Sequence, residues 1–531
     1  MTRTTRVIVL VLVAVLVLGS VGAGVFALID GGAGSQGERE TDTDADEDRE
    51  PAPPLPEEDG ARQPPQAALA PFYEQTIAWE PCGSLDCATL TVPVDYADPQ
   101  GQTFELALNR RAAEDPQNRL GALAVNPGGP GAPGTTYVEQ ASLAFRAPLL
   151  GRYDLVGFDP RGTGASDPVD CLPDEGLDAL RALDPDPDTE DEVSFYADSY
   201  EQFFAGCVQS SDELVGHVTT VETARDLDVL RAALGQNELD YFGASYGTKL
   251  GATYAELFPA QVGRFVLDGA VDVTLGSREL SLAQAGGFET ALRAYVQDCL
   301  DTQGPDCFLG STLEVGLATI AGVVEDADAQ PLPTNSEGRE LSAGLAFYGI
   351  ITPLYNRDYW ELLTQGLQMA LDGDGTMLLF LSDAYASREP SGYADNSAEA
   401  ILAINCLDDP YSIPPEQVPG QYAAFEEASP TFGRIFAWGL VGCRGIQVQA
   451  SEPPPTIRAR GAAPILVTGT TRDPATPYAW AVALADQLES GVLLSRDGDG
   501  HTAYNQGNGC ADAAIEAYLL EGYVPTRDVE C

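Results

Sequence analysis

The sequence predicts an α/β fold, a mostly parallel sheet flanked by helices, with a large and mainly helical segment inserted between two strands. Three observations carry this. Short apolar runs without polar alternation recur at 123–125, 155–158, 239–242 and 264–268, as strands buried on both faces require. Helical spacing separates them, as at 221–234, where Leu227, Leu230 and Leu234 share one face. The alternation stops near 273 and returns at 463–469 and 491–495. That gap of roughly 190 residues is far longer than an ordinary connection.

Taken in order, the chain divides into five parts, and the first sets the compartment. Residues 1–36 hold Arg3 and Arg6 before an apolar, uncharged run from 7 to 29, 23 residues long and sufficient to span a bilayer. Val21-Gly22-Ala23 offers the small residues of a cleavable secretory signal. The run exceeds the apolar stretch of an ordinary signal, which favours an uncleaved anchor. No cysteine precedes Cys82, which excludes a lipidated N-terminal cysteine. On either reading the remainder is extracytoplasmic, membrane-anchored or secreted. Residues 37–71 are an acidic, proline-rich linker, with eleven acidic residues and three arginines between Glu38 and Arg62, and are expected to be solvated and extended.

Residues 72–272 form the first part of the sheet domain. Residues 89–94 and 103–108 flank the turn Asp98-Pro99-Gln100-Gly101 as a hairpin. Two buried strands follow and run into the loops Asn126-Pro127-Gly128-Gly129-Pro130-Gly131 and Asp159-Pro160-Arg161-Gly162-Thr163-Gly164. Residues 273–460 are the helical insertion, read as a cap, with helices expected at 287–300 and 359–371. Residues 461–531 return to the sheet.

Composition narrows the function. Of 531 residues, 81 are acidic and 28 basic, a net charge of −53, and Lys249 is the only lysine. Such a surface repels phosphate backbones, so nucleic acid is excluded as a partner. The ten cysteines are even in number, as disulfides in an exported chain require. They fall into local neighbours: Cys82 with Cys87, Cys171 with Cys207, Cys299 with Cys307, Cys406 with Cys443, and Cys510 with Cys531. No C-x-x-C occurs and only two histidines exist, so no metal site is expected.

The chemistry centres on Gly243-Ala244-Ser245-Tyr246-Gly247, placed between an expected strand and an expected helix. A G-x-S-x-G there makes a tight, strained turn that lifts the serine hydroxyl above the sheet. The hydroxyl needs a base, and the base needs an orienting carboxylate. In the α/β-hydrolase fold the order is serine, acid, histidine, which His501 obeys and His217 does not. His217 is therefore read as a structural or solvent histidine. Asp473 stands at the carboxyl end of the strand at 463–469 and is the expected acid; Asp497 and Asp499 share a loop with His501 and read as turn residues. The loop 126–131 occupies the place of an oxyanion loop, with the amides of Gly129 and Tyr246 as the expected donors.

These motifs, with Asp473-Pro474-Ala475-Thr476-Pro477 and the extension Ala165-Ser166 of the second loop, resemble the exported tripeptidyl aminopeptidases. That family of proline-iminopeptidase-like serine peptidases has an α/β-hydrolase fold and a TAP-like C-terminal segment, and the resemblance covers about residues 72–531. By motif position it implies Ser245 as nucleophile, Asp473 as acid and His501 as base, without a cofactor. It also implies release of short, tripeptide-type units from free peptide N-termini, with acidic cap groups holding the substrate ammonium. Residues 403–408 resemble a cap motif of the family, which offers Asp408 or Asp409 for that role against the alternative of plain surface acids. Ala132-Pro133-Gly134 departs from the glycine and serine that usually follow the oxyanion loop.

The expectation is thus an extracytoplasmic serine aminopeptidase acting on peptides through an acyl-enzyme. Its rivals are a carboxylesterase or lipase on the same triad, and a non-catalytic, envelope-anchored binding protein.

Overall fold

The structure, a computed structural model, describes residues 49–526 and 528–531. The apolar run at 7–29 lies outside the described residues. Among those described, no helix is long and apolar enough to cross a membrane.

Strands β1 (Glu80–Cys82), β2 (Leu85–Pro93), β3 (Thr103–Arg111), β4 (Gly121–Asn126), β5 (Tyr153–Phe158), β6 (Leu239–Ala244) and β7 (Val262–Asp268) open the fold. A small hairpin, β8 (Arg388–Glu389) with β9 (Gly392–Tyr393), lies in the insertion. Strands β10 (Ile465–Arg472), β11 (Gly491–Asp499) and β12 (Val529–Glu530) complete it. Among the described residues they make one ten-stranded sheet in the order β1-β2-β3-β5-β4-β6-β7-β10-β11-β12. Pairing is antiparallel from β1 to β5 and parallel from β5 to β12. Every residue of β4 and β5 is buried, which explains their apolar sequences. The helices Thr220–Ala233 and Tyr246–Leu257 cover one face through Leu227, Leu230, Leu250 and Tyr254. Gly134–Glu139 and Gly509–Glu521 cover the other through Tyr137, Val138, Ile515 and Leu519.

Register fixes the place of the chemistry. Asn126 lies opposite Gly243, Ala244 opposite Asp268, and Asp268 opposite Thr468. The carboxyl ends of β4, β6, β7 and β10 are therefore side by side, where open α/β sheets bind ligands.

Between β7 and β10 the chain is mainly helical, including Ser277–Gln303, Leu313–Ala329, Ala343–Ile351, Trp360–Leu371, Thr376–Tyr385 and Ser397–Asp408. The first five carry their own core around Leu292, Val296, Ile320, Ile350, Leu363 and Leu378, whereas Ser397–Asp408 packs on the sheet core through Ala403, Ile404 and Leu407. The helices Asp174–Arg181 and Glu190–Ser211, which the sequence placed within the first core segment, pack against this insertion. Tyr196 meets Trp438 with ring centroids 5.6 Å apart, and Arg388 Nη2 donates to Asp178 Oδ2 at 2.8 Å.

The described part of the linker, residues 49–71, is largely exposed as expected, but it is a strap hydrogen-bonded to the sheet domain and not a free spacer. Arg110 Nη2 donates to Ala52 O at 2.6 Å, Arg119 Nη1 to Pro53 O at 3.0 Å, and Arg231 Nη1 to Ala61 O at 3.0 Å. The cause is a group of buried charges, Asp86, Arg110 and Asp154, which need more acceptors and cover than the sheet supplies. A cavity of about 180 Å³ lies beneath the strap, lined by Leu55, Ile77, Trp79 and Leu234, at the sheet end opposite the chemistry.

The structure joins Cys82–Cys87, Cys171–Cys207, Cys299–Cys307, Cys406–Cys443 and Cys510–Cys531, the five local pairs expected from sequence.

Candidate active site

Ser245 sits between β6 and the helix Tyr246–Leu257 at φ 57° and ψ −123°, a strained conformation for a residue with a side chain. A side chain on Gly243 would lie 2.4 Å from Gly247 O, so the turn closes only with glycine. Ser245 N donates to Asp268 O at 2.8 Å, fixing the turn to the end of β7.

Asp473 and His501 come together beside it. His501 Nδ1 is 2.9 Å from Asp473 Oδ2 and 3.0 Å from Oδ1, and the two residues are 6% and 2% exposed. The carboxylate is held in place by the amides of Ala475 and Thr476, at 3.0 and 2.9 Å from Oδ1, and by Thr502 N at 3.2 Å from Oδ2. Burial opposes the imidazolium, but the charge and hydrogen bond of Asp473, with the charge of Asp268, outweigh it. The His501 pKa is raised above its ordinary value. His501 Nε2 is buried without a hydrogen-bond partner among the described residues. Serine and histidine meet the same turn: Ser245 N binds Asp268 O, and His501 Cε1 lies against Gly269.

Two residues at the site were not singled out by the sequence. Thr476 Oγ1 lies 3.0 Å from Asp473 Oδ2 and 3.2 Å from His501 Nδ1, bridging acid and base. Asp268, fully buried, accepts from Ala503 N at 2.7 Å and Tyr504 N at 3.0 Å, and from Thr468 Oγ1. It ties the loop after His501 to β7 and β10. Burial raises its pKa against these hydrogen bonds. From the insertion, Tyr355 O accepts His501 N at 2.7 Å and the Tyr355 ring meets the imidazole edge-on, centroids 5.5 Å apart.

The loop 126–131 passes over the elbow. A side chain on Gly128, at φ +102°, would come within 2.6 Å of Ala244 O and 2.8 Å of Ser245 Cβ. Gly129 follows directly, and Tyr246 opens its helix, where the amide has no carbonyl four residues back to meet it. The departing residues Ala132-Pro133-Gly134 begin the helix Gly134–Glu139 with Pro133 at its cap.

The remaining expected residues are each tied to neighbours within the chain. Asp408, 7% exposed, pairs with Lys249 Nζ at 2.7 Å and accepts from Thr220 N at 2.9 Å and from Thr220 Oγ1. Asp409 Oδ2 accepts from Ser277 N at 2.8 Å and Oγ at 2.9 Å, holding the start of the helix Ser277–Gln303. Both carboxylates are thus bonded within the chain, Asp408 to the lysine four residues after Ser245 and Asp409 to the start of an inserted helix. Asp497 and Asp499 pair with Arg472 at 3.0 and 2.6 Å. His217 Nδ1 lies 2.8 Å from Glu222 Oε1, away from the triad. With Asp95 these two form a compact group of metal-ligand types, but Glu222 is also bonded by Thr219 and Ser451. Arg161, 0% exposed, is fixed by Asp226 Oδ2 and Oδ1 at 2.7 and 2.6 Å, so the loop 159–164 is structural.

Comparison with known proteins gives the geometry a context. Residues 121–306 match the model of the alpha/beta hydrolase fold, and residues 429–531 that of the TAP-like proteins. Serine protease Hip1 of Mycobacterium tuberculosis is 38% identical over 487 residues, covering 87% of this chain and 92% of its own. Carboxylesterase B of the same organism is 36% identical over 508 residues, covering 90% and 94%. Tripeptidyl aminopeptidase of Streptomyces lividans is 32% identical over 471 residues, covering 86% of each.

Proposed function

The chain belongs to the α/β hydrolases with a TAP-like C-terminal segment, the tripeptidyl aminopeptidase family, and from that premise we propose a serine exopeptidase that releases short peptides from free N-termini. The observation that carries the serine-hydrolase part of the reading is the buried Asp473–His501 pair beside a strained Ser245, and the tripeptidyl aminopeptidase among the relatives supports the exopeptidase part. Ser245 Oγ attacks the scissile carbonyl while His501 Nε2 takes its proton, and Asp473 holds the ring so that Nδ1 keeps its hydrogen. The amides of Tyr246 and Gly129 stabilise the oxyanion. His501 then protonates the leaving amine, and water, activated by the same imidazole, hydrolyses the acyl-Ser245 ester. The acyl product is a short, tripeptide-type unit. Residues 273–460, with the helices Asp174–Arg181 and Glu190–Ser211, act as the cap that limits access.

The carboxylesterase name among the relatives favours one second reading, an esterase on the same triad. Five disulfides support an extracytoplasmic place for the enzyme, anchored or released according to the fate of residues 7–29. A tripeptide-coumarin with a free amine, compared with its acetylated twin, separates these readings. Turnover of the free-amine substrate that disappears in Ser245→Ala supports the exopeptidase. Equal turnover of both substrates, or turnover confined to acyl esters, overturns it.

A further inference from the structure

A line of half-buried rings runs from the triad into the inserted helices. Tyr355 meets His501 at 5.5 Å between centroids, Tyr385 meets Tyr355 at 6.3 Å, and Tyr348 meets Tyr385 at 5.1 Å. Arg181 closes the line, its guanidinium 4.5 Å from the centre of the Tyr348 ring and 5.8 Å from that of Tyr385. Arg181 is itself half-buried and ends the helix Asp174–Arg181.

The charge at this point is unusual for the chain. Among the described residues no carboxylate pairs with Arg181, whose one hydrogen bond goes from Nη2 to Ser382 O at 3.2 Å. The neighbouring arginines are paired. Arg339 binds Asp383 through two contacts, 2.6 and 2.8 Å, and Arg388 binds Asp178 at 3.0 and 2.8 Å. Three arginines thus stand against two aspartates, a local surplus of one positive charge in a protein of net charge −53. With 81 carboxylates available to the chain, a half-buried guanidinium left without one keeps four donors for something else. A guanidinium stacked on tyrosine faces is held in one plane, which suits the two oxygens of a carboxylate.

We propose that Arg181, on the wall formed by Tyr348, Tyr385 and Tyr355, is a subsite for a carboxylate of the substrate. The proposal rests on the exopeptidase reading and adds to it a preference in substrate class. The steps along the wall, 5.5, 6.3 and 5.8 Å, are within the reach of six extended residues at about 3.4 Å each. The carboxylate is therefore a few residues from the bond that is cut. It is either the free C-terminus of a short peptide or an acidic side chain.

Two substrate series separate these sources. One is a set of free-amine peptides of five to nine residues, the hexapeptide among them, each offered as its C-terminal acid and as its amide. The other is a set of free-amine tripeptide-coumarins with Glu or Gln at each position. Each ratio is measured for the unaltered chain, Arg181→Met and Arg181→Lys, and a ratio is insensitive to a uniform loss of folded enzyme. The acid is expected to be favoured about tenfold in kcat/KM in one series, as a charged hydrogen bond at a half-exposed site implies. Arg181→Met brings that ratio near one, and Arg181→Lys retains part of it. The same acid and amide hexapeptides, and uncut analogues of the Glu and Gln pairs, are titrated into Ser245→Ala and into Ser245→Ala/Arg181→Met. If the unaltered chain cuts none of the peptides, the exopeptidase reading fails, and the binding ratios still decide the role of Arg181. Ratios near one in both series, or a preference unchanged by Arg181→Met, overturn the subsite and leave Arg181 a packing residue on Tyr348.

Discussion

At the scale of single residues, the behaviour of His501 follows from its surroundings. As the proposed base, His501 works as neutral imidazole, and Asp473 raises its pKa above the ordinary 6.5, so activity is expected to fall on the acid side earlier than for a free histidine. The acid limb of kcat/KM is therefore expected above pH 6.5. In Asp473→Asn the limb moves to lower pH while kcat drops by about 10³–10⁴-fold, as when a triad loses its orienting carboxylate. An unmoved limb would separate His501 from the rate. Asp268→Ala removes the acceptor for Ala503 N and Tyr504 N, and is expected to lower kcat by about tenfold or more while KM changes little. Substrate kinetics on refolding-competent protein check this. Asp473 and His501 were legible because chain order and two histidines leave little choice. Asp268 and Thr476 were not. Their roles depend on β7 and β10 lying side by side, and among 81 acidic residues Asp268 carries no local mark.

Between elements, the sequence identified strands better than partners. The apolar runs at 123–125 and 155–158 lie within the fully buried β4 and β5, because burial on both faces leaves an unmistakable composition. The helices Asp174–Arg181 and Glu190–Ser211 fall in the first core segment, and Glu190–Ser211 packs both on the sheet core through Phe203 and Phe204 and on the insertion through Tyr196. The sequence did not show that division, because an amphipathic pattern states that a face is buried but not against what. Lys249 and Asp408 illustrate the same limit. They join the helix after the nucleophile to the inserted helix Ser397–Asp408 through a pair in which the side chains are 24% and 3% exposed. Lys249→Met leaves the Asp408 carboxylate buried without its cation, and is expected to cost about 3 kcal/mol. Adding Asp408→Asn should restore much of that loss. Denaturant unfolding of the single and double variants checks both, and equal stability of Lys249→Met and the parent would show the pair to be incidental.

On the scale of the whole molecule, the strap joins the folded unit. Composition alone suggested a spacer up to residue 71, because acidic and proline-rich stretches ordinarily remain solvated. Its backbone carbonyls instead complete the hydrogen bonding of Arg110, Arg119 and Arg231, a demand created by residues distant in sequence. A chain begun at Phe72 is expected to melt several degrees below one begun at Arg49, as loss of a few kcal/mol implies. Equal melting temperatures by calorimetry would make the strap dispensable. The whole account rests on the enzyme reading peptides from their free ends. The most direct measurement incubates a ten-residue peptide and its N-acetylated twin with the protein and follows the products by mass spectrometry. The account predicts stepwise loss of short N-terminal units from the free peptide alone, abolished in Ser245→Ala. Internal cuts, equal attack on the acetylated twin, or cleavage that survives Ser245→Ala would contradict it.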